Sequence, residues 1–222
     1  MDLNLIRSAN LELLTEHGFR PAPLLPLGEP TTLRSQDEVF GRLWALDVAV
    51  RWVYAPVERF SDATLIHERD RVDAVAGLSS EEMSVFECPR SEASMEFGSE
   101  FGWKTEHLYT LAWVLGMSRE PEFTGDFFGE EDQVAAYKAF VKPEYDATLA
   151  NLKLRSLEEV VTLEDRFYCV HNVARSALFS GADTIPESFD AQANGGVVQE
   201  RRHALTWCLS PGVAWDDTDL ST

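Results

Sequence analysis

Apolar residues recur at the three- and four-residue spacing of amphipathic helices along most of the chain. The pattern predicts about eight helices, and the one over residues 100–117 is apolar on nearly every face, which is typical of a central, buried helix. No segment keeps the strict apolar–polar alternation of a strand for more than a few residues. The predicted helices cover residues 3–17, 35–54, 61–76, 79–87, 100–117, 131–141, 156–179 and 198–209.

Start signals support several of these bounds. A serine followed three residues later by a glutamate, the pattern of a capping box, stands at Ser35, Ser79 and Ser156. Residues 19–34 hold four prolines and a glycine, which predicts an extended loop on the surface. Residues 90–99 are small, polar and acidic, and we expect another loop there.

These patterns predict an all-α fold with long irregular loops and little or no sheet. We expect one globular domain over residues 1–222, with a soft boundary in a loop at 88–99. The chain has 222 residues and is 45% hydrophobic, which suits a globular domain and excludes wholesale disorder.

Two features predict a cytoplasmic protein. There is no apolar run long enough to span a membrane, and the amphipathic, acidic start lacks the basic end and apolar core of a signal peptide. The three cysteines are an odd number without metal-ligand spacing, which fits reduced thiols.

The net charge of −19 makes some classes of binding partner unfavourable. Such a field repels the phosphates of nucleic acids and of anionic lipids, so we expect neither nucleic-acid nor membrane binding. A basic protein is a better partner, because complementary potentials steer encounter. The alternative is that the charge only keeps the protein soluble.

The acidic residues are clustered in two stretches, 79–100 and 120–132. The second stretch contains no basic residue, and turn signals around it predict that it is exposed. It is therefore the candidate surface for a basic partner, through Glu120, Glu122, Asp126, Glu130, Glu131 and Asp132.

Motifs for common chemistries are absent from the sequence. There is no glycine-rich nucleotide loop, no G-x-S-x-G elbow, no C-x-x-C pair and no H-E-x-x-H helix. We assign no catalytic residue, no cofactor and no metal, and the absence favours a non-enzymatic role.

Polar residues nevertheless interrupt helices that otherwise look buried. Glu200 and His203 share a helix face, and so do His171 and Arg175. Such residues most often form hydrogen-bonded ion-pair networks that set helix register, but they could instead build a ligand or metal site. The set named on these grounds is Glu106, His107, Asp165, His171, Arg175, Glu200, His203, Asp216 and Asp217.

Four blocks in order resemble the bacterial domain of unknown function 4272 family. They are WKTEHLYTLAWVLGM at 103–117, LRSLEEVVTLEDRFYCVHNVAR at 154–175, ERRHALTWCL at 200–209 and WDDTD at 215–219. The similarity spans residues 5–219, with Lys104 where the family pattern has arginine. It implies a common fold and leaves the activity unassigned. The motif residues that it marks are Glu106, Arg155, Asp165, His171, Arg175, Arg201, His203, Asp216 and Asp217.

Three functions remain open from the sequence. The first is an acidic binding protein that docks or neutralises a basic partner, with an immunity protein as the concrete form. The second is an enzyme or a small-ligand or metal binder that uses the polar cluster. The third is a structural adaptor domain. The sequence leaves the oligomeric state unknown.

Overall fold

The computed structural model describes residues 1–22, 24–128, 152–181 and 183–221. These residues contain seven helices and no strand, so the predicted all-α fold is confirmed. The predicted helix at 131–141 lies outside the described residues. The helices are α1 (Leu3–Glu16), α2 (Gln36–Tyr54), α3 (Asp62–Ala76), α4 (Ser80–Glu87), α5 (Arg90–Val114), α6 (Leu157–Ser180) and α7 (Ala193–Cys208).

The three predicted capping boxes are confirmed. In each, the serine side chain accepts a hydrogen bond from the backbone of the third helical residue, and the glutamate there accepts from the serine backbone. These boxes begin α2, α4 and α6. Gly181 ends α6 in the left-handed conformation, as its position after the apolar pattern indicated.

The predicted loop at 90–99 is wrong, because α5 begins at Arg90 and continues without a break. Pro89 stands at the N-cap, where a missing N–H costs nothing. Ala93 and Phe101 pack into a core with Trp52 of α2. The segment is polar in overall composition but has one apolar face, and burial of that face stabilises the helix.

Two helix ends also differ from prediction. Helix α5 ends at Val114, before Gly116 with its φ of 73°. Helix α7 begins at Ala193, five residues earlier than predicted. A Cβ at Gly195 would lie 3.2 Å from Ala174 Cβ, so this glycine lets α7 approach α6 closely.

The chain divides into two compact units. Unit 1 comprises residues 1–34, 119–129 and 155–222, and unit 2 comprises residues 35–118 and 130–154. Neither unit begins or ends within 88–99, which lies inside unit 2. The expectation of one domain over 1–222 stays a prediction.

In unit 2, α2 packs against α3, α4 and α5. Its core combines aromatic and aliphatic side chains, among them Trp52, Leu65, Val85 and Phe101. In unit 1, α6 packs against α1 and α7. Phe19 and Phe189 meet edge to face at 5.1 Å in that unit. No helix of the described residues is long and apolar enough to cross a membrane.

Candidate functional site

Side chains of α7 hold the acidic segment 119–128 through hydrogen bonds to its backbone carbonyls. The Arg201 guanidinium of α7 donates to the carbonyl of Glu122 and, at 2.5 Å, to the carbonyl of Asp126. The side chain of Asn194 donates to the carbonyl of Gly125 at 2.9 Å. Because these bonds use main-chain oxygens, they secure the segment without engaging its carboxylates.

Gly125 is required at this attachment. Its φ is 77°, and a Cβ there would lie 2.5 Å from Asn194 Cβ and 2.6 Å from the Asn194 carbonyl oxygen. A larger residue would push the segment away from the start of α7. The central carbon of the Arg201 guanidinium lies 4.5 Å from the centre of the Phe128 ring, and this contact completes the attachment.

The predicted carboxylates of this segment are exposed. Glu120 pairs with Arg166 of α6 at 2.8 Å, and Glu122 pairs with Arg119 at 2.8 Å. Asp126 accepts from the hydroxyl of Thr124 at 3.2 Å. These contacts fix where the carboxylates lie. The other three predicted residues, Glu130, Glu131 and Asp132, lie outside the described residues.

Asp165 belongs to a buried network between α1 and α6. It accepts from Arg7 Nε at 2.9 Å and from Asn10 Nδ2 at 2.9 Å. Arg7 also donates to the carbonyls of Leu25 and Pro26. Asp165 is therefore the acidic centre of a structural network that ties the proline-rich segment to two helices.

His171 lies in a second buried network. Its Nδ1 is 2.9 Å from Arg202 NH1 of α7. Burial, with Arg202 and Arg175 as nearby positive charges, lowers the pKa of His171 to about 4. His171 is therefore neutral at pH 7, and its Nδ1 accepts the hydrogen bond from Arg202.

Arg202 is the residue that the sequence reasoning missed. Its Nε donates to Glu164 at 3.3 Å, and its NH1 donates to the carbonyl of Leu220 at 3.0 Å. Its guanidinium lies 4.5 Å from the centre of the Tyr168 ring. A sequence signal for it did exist, because Arg202 directly precedes His203 in the block ERRHALTWCL at 200–209.

His203 packs against the tail of unit 1. Its Nε2 lies 3.0 Å from the carbonyl oxygen of Trp215. The centres of the His203 and Trp215 rings are 4.4 Å apart. Trp215 also meets Trp207 edge to face. The pair Glu200–His203 therefore places its histidine in a packed aromatic corner, while Asp216 and Asp217 beyond it are exposed.

The remaining predicted residues make separate contacts within their own units. Arg155 pairs with Glu159 of the α6 capping box at 3.3 Å, and Arg175 is exposed with its guanidinium 5.8 Å from the Phe179 ring. Glu106 is buried on α5 of unit 2. The contacts within unit 1 thus divide its cluster residues among several networks. The part of the chain that the structure describes holds no group of three or more side chains that could bind a metal ion.

A shared feature of these networks is buried arginine. Burial removes more positive than negative charge from the surface, because the described residues bury seven arginines and four carboxylates. The arginines are Arg7, Arg34, Arg42, Arg51, Arg90, Arg201 and Arg202, and the carboxylates are those of Asp47, Glu82, Glu106 and Asp165.

Residues 7–218 match the family model described as "Domain of unknown function (DUF4272)". The chain belongs to this family. The match covers nearly the whole sequence and confirms the resemblance drawn from the four sequence blocks. Neither the curated proteins nor the solved structures contain a match to the chain. Membership therefore establishes the family and assigns no activity.

Proposed function

We propose that this member of the family binds a basic partner protein through the acidic surface formed by Glu120, Glu122 and Asp126. The observation that carries the proposal is the attachment of this segment by Arg201. The backbone is held from inside while the three carboxylates are exposed. A surface that is already ordered loses less conformational entropy on binding.

The distribution of charge supports the same function. The net charge is −19, and the described residues bury seven arginines against four carboxylates. The outward field is therefore more negative than an even spread of the cations would make it. Such a field accelerates encounter with a basic protein and disfavours acidic ones.

An immunity protein is the concrete form of this proposal. A cell that carries a basic toxin domain needs an inhibitor that associates quickly and covers the toxin, and electrostatic steering meets the first need. In this proposal the protein acts in the cytoplasm, where its three cysteines remain reduced.

Affinity capture from the source cells, at low and at physiological salt, tests the proposal. The variant Glu120→Lys, Glu122→Lys and Asp126→Lys reverses the proposed surface. Its matched control, Glu87→Lys, Glu92→Lys and Glu96→Lys, changes the net charge equally at exposed positions of unit 2. Thermal melting establishes that both variants fold.

We expect one basic protein to be retained at physiological salt by the wild type and by the control. The variant at 120–126 should lose it. Equal retention by all three proteins, or equal loss from both variants, would contradict a specific role of this surface. Mass spectrometry of the retained fraction identifies the partner.

A further inference from the structure

A cavity of about 340 Å³ lies on unit 1 between the proline-rich segment 26–30 and helices α6 and α7. Ligand pockets in proteins begin at roughly 300 Å³, so the cavity has room for a compact molecule. Its polar side is formed by Glu164 and Tyr168 of α6 and by Arg202 and Thr206 of α7.

Glu164 is the carboxylate that this cavity offers. Its Oε1 accepts from Arg202 Nε at 3.3 Å and from the Thr206 hydroxyl at 3.0 Å. Its Oε2 accepts no hydrogen bond from another described residue. The side chain is 20% exposed, so one held oxygen orients the carboxylate and the other remains open to a donor.

Arg202 is already engaged with the protein. Besides Glu164, it contacts His171 and donates to the carbonyls of Leu220 and Ser221. An anion in the cavity would have to replace these bonds. Glu29 adds a second carboxylate to the lining, so the acidic groups outnumber the guanidinium. The electrostatic balance therefore favours a cation.

The lining of the cavity also contains apolar side chains. Pro26, Leu27 and Pro30 face the space together with Leu209 at the end of α7. The phenol of Tyr168 makes no hydrogen bond to another described residue, and it adds an aromatic ring with a polar tip. This combination fits an apolar body that carries one charged donor group.

We propose that this cavity binds a small organic cation, a primary or secondary amine on an apolar body. The ammonium group donates to Glu164 Oε2, and the body packs against the prolines and Leu209. The cavity is lined by residues other than those of the acidic surface at 120–126. A test of amine binding is therefore independent of a test of the proposed partner.

Three probes of similar size test the charge preference on the full chain: benzylamine, benzyl alcohol and benzoate. Titration followed by calorimetry or by amide chemical shifts should give saturable benzylamine binding with a Kd on the order of 1 mM, as ligand efficiency allows for a molecule of this size. Benzyl alcohol should bind about tenfold more weakly. The proposal would be overturned if the benzylamine titration did not saturate, or if benzoate bound more tightly than benzylamine.

Glu164→Gln is the decisive variant, because it removes the charge and keeps the shape and the acceptor for Thr206. We expect benzylamine affinity to fall at least about tenfold. Glu158→Gln, an exposed neutralisation on the same helix, is the matched control and should leave the Kd unchanged. Equal affinity of the Glu164→Gln variant and the wild type would refute the site.

A second measurement covers the case in which Glu164→Gln fails to fold. In the wild type, benzylamine should perturb the amides of Leu27, Glu164, Tyr168 and Leu209 more than those of the rest of the chain. Perturbations centred elsewhere, or spread evenly over the protein, would also exclude this cavity.

Discussion

The two units use their buried arginines differently. In unit 2, Arg42 pairs with Glu82 of α4, and Arg51 pairs with Asp47 of its own helix and with Glu68 of α3. These pairs join α2 to α4 and to α3, and they lie among the helices of the core. Arg90 pairs with Asp62 and also donates to the carbonyls of Ala55 and Phe60.

In unit 1 all four buried arginines donate to carbonyls at helix ends or in irregular segments, and Arg7 and Arg202 also pair with Asp165 and Glu164. Arg34 donates to the carbonyls of Trp207, Ser210 and Val213, at the end of α7 and beyond it. The others attach residues 25–26, 122–126 and 220–221.

This difference has a consequence for each unit. Glu82 left without Arg42 stays buried in unit 2 without a cation, whereas a segment released from Arg34 or Arg201 in unit 1 can turn to water. Loss of an arginine should therefore weaken the core of unit 2 and loosen the surface of unit 1.

The largest effect is expected from Arg42→Met in unit 2. It leaves Glu82 buried without its cation, which costs about 3–5 kcal/mol of unfolding free energy. Urea denaturation measures the loss. The double variant Arg42→Met with Glu82→Gln should recover most of it, because no buried charge remains.

The control for this prediction is Arg69→Met, which breaks a more exposed pair with Asp70 and should cost less than about 1 kcal/mol. If Arg42→Met and Arg69→Met lowered the free energy of unfolding equally, the buried Arg42–Glu82 pair would not be more important for stability than an exposed pair.

The pH dependence of unit 1 is the next effect. The folded state lowers the pKa of His171 to about 4 from its ordinary value of 6.5. Between these values the unfolded chain binds more protons than the folded one, so stability is full above pH 6.5 and falls as the pH approaches 4. The loss amounts to about 3 kcal/mol when it is complete.

Urea unfolding of the wild type and of His171→Gln, measured from pH 7.5 to 4, tests this. The wild type should lose more stability than the variant across that window. His67→Gln, at an exposed histidine of unit 2, serves as the control and should keep the slope of the wild type. Parallel curves for the wild type and His171→Gln would disprove the role of His171.

Arg201→Met tests the attachment of the acidic segment in unit 1. It removes the donors to the carbonyls of Glu122 and Asp126, and we expect a loss of about 1–3 kcal/mol because those groups can bind water instead. Amide exchange over residues 122–128 should accelerate, while exchange in unit 2 stays unchanged.

The matched control is Arg175→Met, which removes the same charge from an exposed position on α6. Its exchange pattern should equal that of the wild type. Unchanged exchange at 122–128 in the Arg201 variant would contradict the anchoring that the proposed function requires.

The smallest expected effect is common to both units. Ser156→Ala at the start of α6 and Ser79→Ala at the start of α4 each remove a capping box, and each should cost about 1 kcal/mol. Thermal denaturation checks both values. A cost several times larger at one cap would mean that its serine does more than begin a helix.

Local signals predicted much of the fold. The caps at Ser35, Ser79 and Ser156 were correct because a capping box involves only residues three apart. The loop at 90–99 was wrong because its helix is stabilised by Ala93 and Phe101 in a core with Trp52. Contacts between residues so far apart in the chain leave no local pattern.

The candidate sites show the same division. The acidic composition of 120–126 was evident from the sequence, while its attachment through Arg201 and Gly125 was not. A spacing signal did exist for one missed residue. Arg7 lies seven residues before Leu14 and three before Asn10, which puts all three on one buried face of α1.

The sequence by itself determined the helical class, the three capping boxes, the family and the strong negative charge. The family depends on four blocks in order along the chain. The others depend on composition or on residues within one helical turn of each other. Only the tertiary structure decided which charges lie inside, because a guanidinium such as Arg202 is buried only where Glu164, His171 and distant carbonyls meet its donors together. That meeting also formed the cavity, and it depends on how α6, α7 and the proline-rich segment pack.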